Sequence, residues 1–175
     1  MKLYFLSFTM LFSVTLYGQV NDSQYTPLVN EGLEFLRQNE FSKAVEKYNA
    51  ALELDSVRVD AWYGLGVSYT ALCLQQDDYC GLAVAKLHRV ERLAGAYRYT
   101  YQNIISCLIK IKNYASAITY CDKAIAQDSK DGDNYYYKGF AQLQLGKTKE
   151  GCNDLQYAAQ LGHIDAIALQ NKSCK

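Results

Sequence analysis

Eight residues carry the side-chain types that most often do chemistry here: Cys73, Cys80, Cys107, Cys121, Cys152, Cys174, His88 and His163. No two of the cysteines stand in a Cys-x-x-Cys spacing, and the two histidines stand far apart, so the pattern gives no zinc site. A Cys or Ser nucleophile needs a base within hydrogen-bond reach, held by an orienting acid. Neither His88 nor His163 has such a set around it, and no glycine-rich phosphate loop occurs. The residues therefore read as a non-enzyme that needs no metal and no cofactor. What six cysteines can do is pair, if the chain reaches an oxidising compartment.

The start of the chain bears on that condition. Met1 and Lys2 precede an uncharged, mostly apolar run from Leu3 to Leu16, then Tyr17-Gly18-Gln19. This is the three-part form of a secretory leader with a small residue before the cut. The run is shorter than the ~20 residues a spanning helix needs. The reading is a signal peptide over 1–18, a short segment over 19–24, and no integral membrane segment after cleavage. No cysteine lies near the cut, which excludes lipid attachment there. The expected destination is the periplasm or the exterior. Asn21-Asp22-Ser23 and Asn171-Lys172-Ser173 match the glycosylation acceptor pattern, which matters only in a eukaryotic source. The short leader fits an exported bacterial protein better.

Composition narrows the partners. Lys plus Arg and Asp plus Glu number 18 each, so no global field draws the chain to nucleic acid or an acidic membrane. Half the residues are hydrophobic, enough for a core, and the single proline favours helices over proline-rich loops.

The elements that position these residues repeat. Trp62-x-x-Leu65-Gly66-x-x-Tyr69 opens one unit. A second pattern follows, of a small residue, a bulky one four later and a small one three after that. It recurs as Ala44, Tyr48, Ala51; Ala83, Leu87, Val90; Ala117, Cys121, Ala124; and Gly151, Leu155, Ala158. Aligned on these anchors, the units span 25–58, 59–97, 98–131 and 132–165; three have 34 residues and the second has 39. Gly32, Gly66 and Gly139 share one position, filled by Ile105 in the third unit. Spacing of i, i+3, i+4 and i+7 gives each helix one apolar stripe. A lone helix pair cannot bury its stripe, so neighbouring pairs must stack.

Over residues 25–165 the chain resembles the tetratricopeptide repeat family, and the stretch from Asp154 to Ala166 is also similar to the related Sel1-type repeat. The resemblance implies an all-α, right-handed α-α superhelix of about four helix pairs. Residues 166–175 then form a capping helix and tail, with Ile164, Ile167 and Ala168 expected to cover the last stripe. It implies a scaffold that holds a protein or peptide on its concave wall, formed by one face of each first helix. The residues placed there are Val29, Asn30, Leu33, Tyr63, Val67, Tyr99, Gln102, Asn103, Tyr136, Tyr137 and Phe140. Several of these tyrosines could instead pack between repeats. Asn30 and Asn103 suit a carboxylate clamp, but its basic partners are absent. The alternatives are a structural subunit of a cell-envelope complex and, more remotely, a thiol-redox protein.

The repeat frame also organises the cysteines. The five extra residues of the second unit lie between Tyr69 and Ala83, an enlarged loop with Cys73 and Cys80 at its roots, which suggests a staple. Cys152 and Cys174 would tie the last helices together. Cys107 and Cys121 fall on the two helices of one unit, where a bond and two buried thiols fit equally well.

Overall fold

The computed structural model describes residues 22–174 apart from Ala96 and Arg98, so the expected leader lies outside the described residues. Nine α-helices and no strand occur among the described residues. They are α1 (22–37), α2 (Phe41–Leu54), α3 (Val59–Gln75), α4 (Cys80–Ala94), α5 (Thr100–Lys110), α6 (Tyr114–Gln127), α7 (Gly132–Gln144), α8 (Thr148–Gln160) and α9 (Ile164–Ser173). From α2 onward each helix packs on the next, and α3, α5, α7 and α9 also stack in sequence. The result is an all-α helical-repeat solenoid.

The second helix of each pair buries the stripe that the spacing demands. Ala44, Tyr48 and Ala51 of α2 are buried, as are Ala83, Leu87 and Val90 of α4, and Ala117, Cys121 and Ala124 of α6. Gly151, Leu155 and Ala158 repeat the pattern in α8. The small residues let helices approach, and the bulky one fills the gap. An added Cβ at Gly66 would stand 2.6 Å from Leu87 Cδ2. At Gly139 it would stand 2.8 Å from the Gly151 carbonyl oxygen, so α7 and α8 cross almost backbone to backbone. Tyr48 is clasped from two sides. A Cβ on Gly32 of α1 would come within 2.9 Å of its ring, and one on Gly64 of α3 within 2.3 Å.

Turns within three of the four pairs are left-handed at one residue each. Asn39 and Lys112 both have φ of 59° and Gly146 has 74°. The helices that follow start with side-chain caps in some places. Asn113 accepts from the Ser116 N–H, Asp131 from Asp133, and His163 Nδ1 from Ala166. Such caps satisfy N–H groups that have no partner inside the helix.

The second unit differs from expectation. Its extra residues do not form an enlarged loop. They lengthen α3 to 17 residues, and a single 3-10 turn, Asp77–Tyr79, leads directly into α4. No proline stands between Val59 and Gln75, so the helix can continue for an extra turn. Cys73 and Cys80 are bridged across that turn, and Cys152 of α8 is bridged to Cys174 beyond α9.

One open alternative is decided here and one expectation is corrected. Cys107 and Cys121 are separate buried thiols, not a bridge. Cys107 turns toward α3 and joins the cluster of Cys73, Cys80 and Ala83, whereas Cys121 packs with Ile105 and Ala124. At the C-terminal end, Ile164 is 81% exposed and Ile167 49%. The residues that face α8 are Ala166 and Leu169, against Leu155 and Ala158. A fully buried Ala166 fits the close crossing where an isoleucine would not.

The junction of the second and third units carries a polar network. Tyr120 Oη lies 2.7 Å from His88 Nε2 and 3.2 Å from Glu91 Oε2. A carboxylate only accepts, so Tyr120 donates to Glu91 and accepts from the His88 Nε2–H. Lys123 Nζ closes the network on Glu91 Oε1 at 2.7 Å. Burial lowers the His88 pKa. Burial would raise that of Glu91, but its bonds from Lys123 and Tyr120 outweigh this and hold it below the usual range.

Gly66→Leu should lower the melting temperature by several degrees, since overpacking of this kind costs about 1–3 kcal/mol. Gly81→Ala is the control, because nothing lies within 4 Å of a Cβ there. Equal melting of the two variants would remove the α3–α4 contact from the account. The Cys152–Cys174 bridge spans 22 residues, a separation worth ~3 kcal/mol by loop-closure entropy. Cys174→Ser should therefore melt several degrees lower, and α9 amides should exchange hydrogen faster; unchanged α9 exchange would show the tie to be idle. His88 and Glu91 both bind protons more readily in the unfolded chain, so stability falls as pH falls. The His88 share is lost on descending through the ordinary imidazole range, the Glu91 share below the ordinary glutamate range. His88→Gln should thus lose less melting temperature than the parent between pH 7.5 and 5.5, by melting curves. An identical loss would exclude His88 as the source.

Candidate binding groove

The odd-numbered helices α3, α5, α7 and α9 stack side by side, and a depression lies between α1 and α3. A cavity of about 280 Å³ opens there, lined by Val29, Leu33, Leu36, Tyr48, Asp60, Tyr63, Gly64 and Val67. Val29, Leu33 and Leu36 are spaced i, i+4 and i+7 and so share one side of α1. Tyr63 and Val67 answer them from α3. Between the two helices lies the clasped Tyr48 ring, which reaches this face because Gly64 has no side chain. Leu33 remains 41% exposed, so the wall is open to solvent.

One carboxylate stands among these apolar groups, and it is already engaged. Tyr25 Oη donates to Asp60 Oδ1 at 2.6 Å, and the Ala61 N–H donates to the same oxygen at 3.1 Å. Arg58 lies with its guanidinium 4.3 Å from the centre of the Tyr25 ring and its Nε 3.8 Å from Asp60. Burial, with the bond to Asp60, raises the Tyr25 pKa. Its proton thus stays on Tyr25 and ties α1 to the start of α3. The cavity offers van der Waals and aromatic contact rather than acid–base chemistry. Among the described residues no group of three or more His, Cys, Asp or Glu gathers to hold a metal ion.

Four of the eleven residues placed on the wall from sequence, Val29, Leu33, Tyr63 and Val67, meet in this cavity. Tyr63 also meets Tyr97 edge-on, ring centres 5.3 Å apart. Tyr137 belongs to a second, shallower depression with Leu74, Ser106, Ile109 and Lys110, of about 300 Å³. The remainder are dispersed. Asn30 is exposed on α1. Tyr99, at the start of α5, is 69% exposed. Gln102 donates to Asn134 Oδ1 at 3.4 Å, and Asn103 donates to the Tyr99 carbonyl at 2.8 Å. Tyr136 stacks on His163 at 4.2 Å and packs with the α8–α9 core, so it is a structural residue. Phe140 meets Tyr114 edge-on at 6.1 Å.

Leu36, Tyr48, Asp60 and Gly64 are the cavity residues that sequence reasoning misses. The spacing of Val29, Leu33 and Leu36 is the available signal for the first. Tyr48 reads as core, which it is, and its second role depends on Gly64.

Residues 32–72 match the family model described as TPR repeat, a stretch that runs from Gly32 through α2 into α3. Three solved structures have the same fold. YrrB, described as a TPR protein with an unusual peptide-binding site, superposes with a TM-score of 0.73 at 20% identity, over 89% of this chain and 78% of that one. MamA from Desulfovibrio magneticus RS-1 gives 0.72 at 19%, over 79% and 76%. TTC0263, a thermophilic TPR protein of Thermus thermophilus, gives 0.65 at 14%, over 94% of each chain. Residues 32–72 are thus similar to the TPR repeat, and the chain has the fold of an all-α TPR-type repeat solenoid.

Proposed function

We propose that this protein is an exported scaffold that holds an extended peptide or protein segment along the face of its odd-numbered helices. A bulky aliphatic or aromatic side chain of the partner seats between α1 and α3. The observation that carries this reading is the cavity itself. It is open, apolar and floored by a rigid ring, and the carboxylate in its lining is internally satisfied. Its size suits one large side chain, and apolar burial of that kind supplies the affinity while the groove rim sets direction. A fold neighbour described as peptide-binding supports the same reading.

Export rests on the leader pattern of residues 1–18 and on four cysteines set in two bridges, which persist in oxidising compartments. A periplasmic or extracellular scaffold follows. The second reading, a subunit of an envelope complex, draws on the uncovered apolar face of α9 at Ile164 and Ile167.

Selection of a displayed library of random 12-residue peptides on the mature protein tests the groove. Enriched peptides should share one large apolar residue. Leu33→Asp should weaken their binding at least tenfold, about 1.4 kcal/mol. Its melting temperature should stay near the parent value, since Leu33 is partly exposed. Peptides that bind Leu33→Asp as tightly as the parent would move the site off this cavity. Loss of binding by Ile164→Asp alone would favour the α9 face.

A further inference from the structure

The buried cluster at the root of α3 and α4 holds three sulfurs, of which only two are bonded. Cys73, Cys80 and Cys107 are all fully buried and pack together with Ala83. The Cys107 thiol hydrogen-bonds with Thr70 Oγ1 at 3.6 Å. Thr70 precedes Cys73 by three residues on α3, so both lie on the side of that helix that meets α5. A third thiol packed into a disulfide's own core cluster, on the neighbouring repeat, is the arrangement that thiol–disulfide exchange requires.

We propose that Cys107 is an internal exchange partner of the Cys73–Cys80 bridge, able to move the covalent link from within the second repeat to between the second and third. The Cys107 thiol first gives its proton to solvent. Its thiolate then attacks Cys73 Sγ. A Cys73–Cys107 bond forms, the Cys73–Cys80 bond breaks, and the leaving electron pair stays on Cys80 Sγ, which takes up a proton. One disulfide and one thiol are present before and after, so no oxidant or reductant is consumed.

The two bonded states differ mechanically. The Cys73–Cys80 link closes a seven-residue span inside one helix pair. A Cys73–Cys107 link joins α3 directly to α5, two helices whose stacking shapes the binding face. Exchange therefore couples the bonding of this cluster to the curvature of the groove. Burial raises the Cys107 pKa, with the Thr70 bond opposing it, so the thiolate is scarce at neutral pH and the first state is held. Higher pH or a local opening of the α3–α5 contact releases it. Cys121 is not a competitor, because it lies in a different cluster with Ile105 and Ala124.

Disulfide mapping of the unreduced full chain decides the matter. Trypsin leaves Cys73 and Cys80 on one peptide, 59–86, and Cys107 on another, 99–110. Samples held at pH 7, 8 and 9 are quenched in acid, alkylated there and digested at mildly acidic pH. The linked pair 59–86 with 99–110 should accumulate, its rate rising about tenfold per pH unit while the thiol stays mostly protonated. Fragmentation should place the bond on Cys73 and the alkyl group on Cys80. Cys152–Cys174 should remain intact and Cys121 should remain a free thiol. Absence of the linked pair at pH 9 overturns the proposal. So does a linked pair accompanied by equal scrambling to Cys121 or Cys152, which would mark global unfolding.

Discussion

The Tyr48 ring between Gly32 and Gly64 is the contact on which the working half of this molecule depends. The ring leaves α2 and fills the space between the first helices of two successive repeats. Neither glycine can carry a side chain without entering it. The clasp brings α1 and α3 to a fixed separation, and that separation is what creates a cavity of about 280 Å³ on the opposite side. Floor and spacing thus come from one residue. The bond from Tyr25 to Asp60 fixes the same two helices near their starts. A rigid cavity loses little conformational entropy on binding, which favours recognition through a single anchor.

Away from this clasp the repeats use different means to the same end. The second pair is stapled by Cys73–Cys80 and packed on Leu87. The second and third repeats are joined by the network of His88, Tyr120, Glu91 and Lys123. The last pair relies on the backbone crossing at Gly139 and Gly151, and α9 is tied on by Cys152–Cys174. A solenoid has only nearest-neighbour contacts, so each junction must be stable in its own right.

Much of this architecture is legible because small residues at fixed offsets have one physical use, close helix approach. Gly66 against Leu87 is an instance where type and spacing name both partners. Legibility fails where side-chain direction, not helix identity, decides the outcome. Cys107 and Cys121 share a repeat, yet the phase of α5 turns one toward α3 and the other packs with Ile105. The phase of α9 is set by the His163 cap and by the need for a small residue at the crossing. Ala166 therefore takes the buried place and Ile164 is left outside. The same limit holds for two tyrosines: Tyr136 stacks on His163, and Tyr99 is exposed at the start of α5. The second-unit insertion reads wrongly as a loop because length alone does not separate a loop from one more turn of helix.

The central claim is that a partner anchors in the cavity floored by Tyr48. Methyl-labelled protein bound to a selected peptide tests it most directly by nuclear Overhauser contacts. Intermolecular contacts are expected from one large apolar peptide side chain to the methyls of Val29, Leu33, Leu36 and Val67. Contacts confined to Ile164 and Ile167 of α9, with none to those four residues, would contradict it.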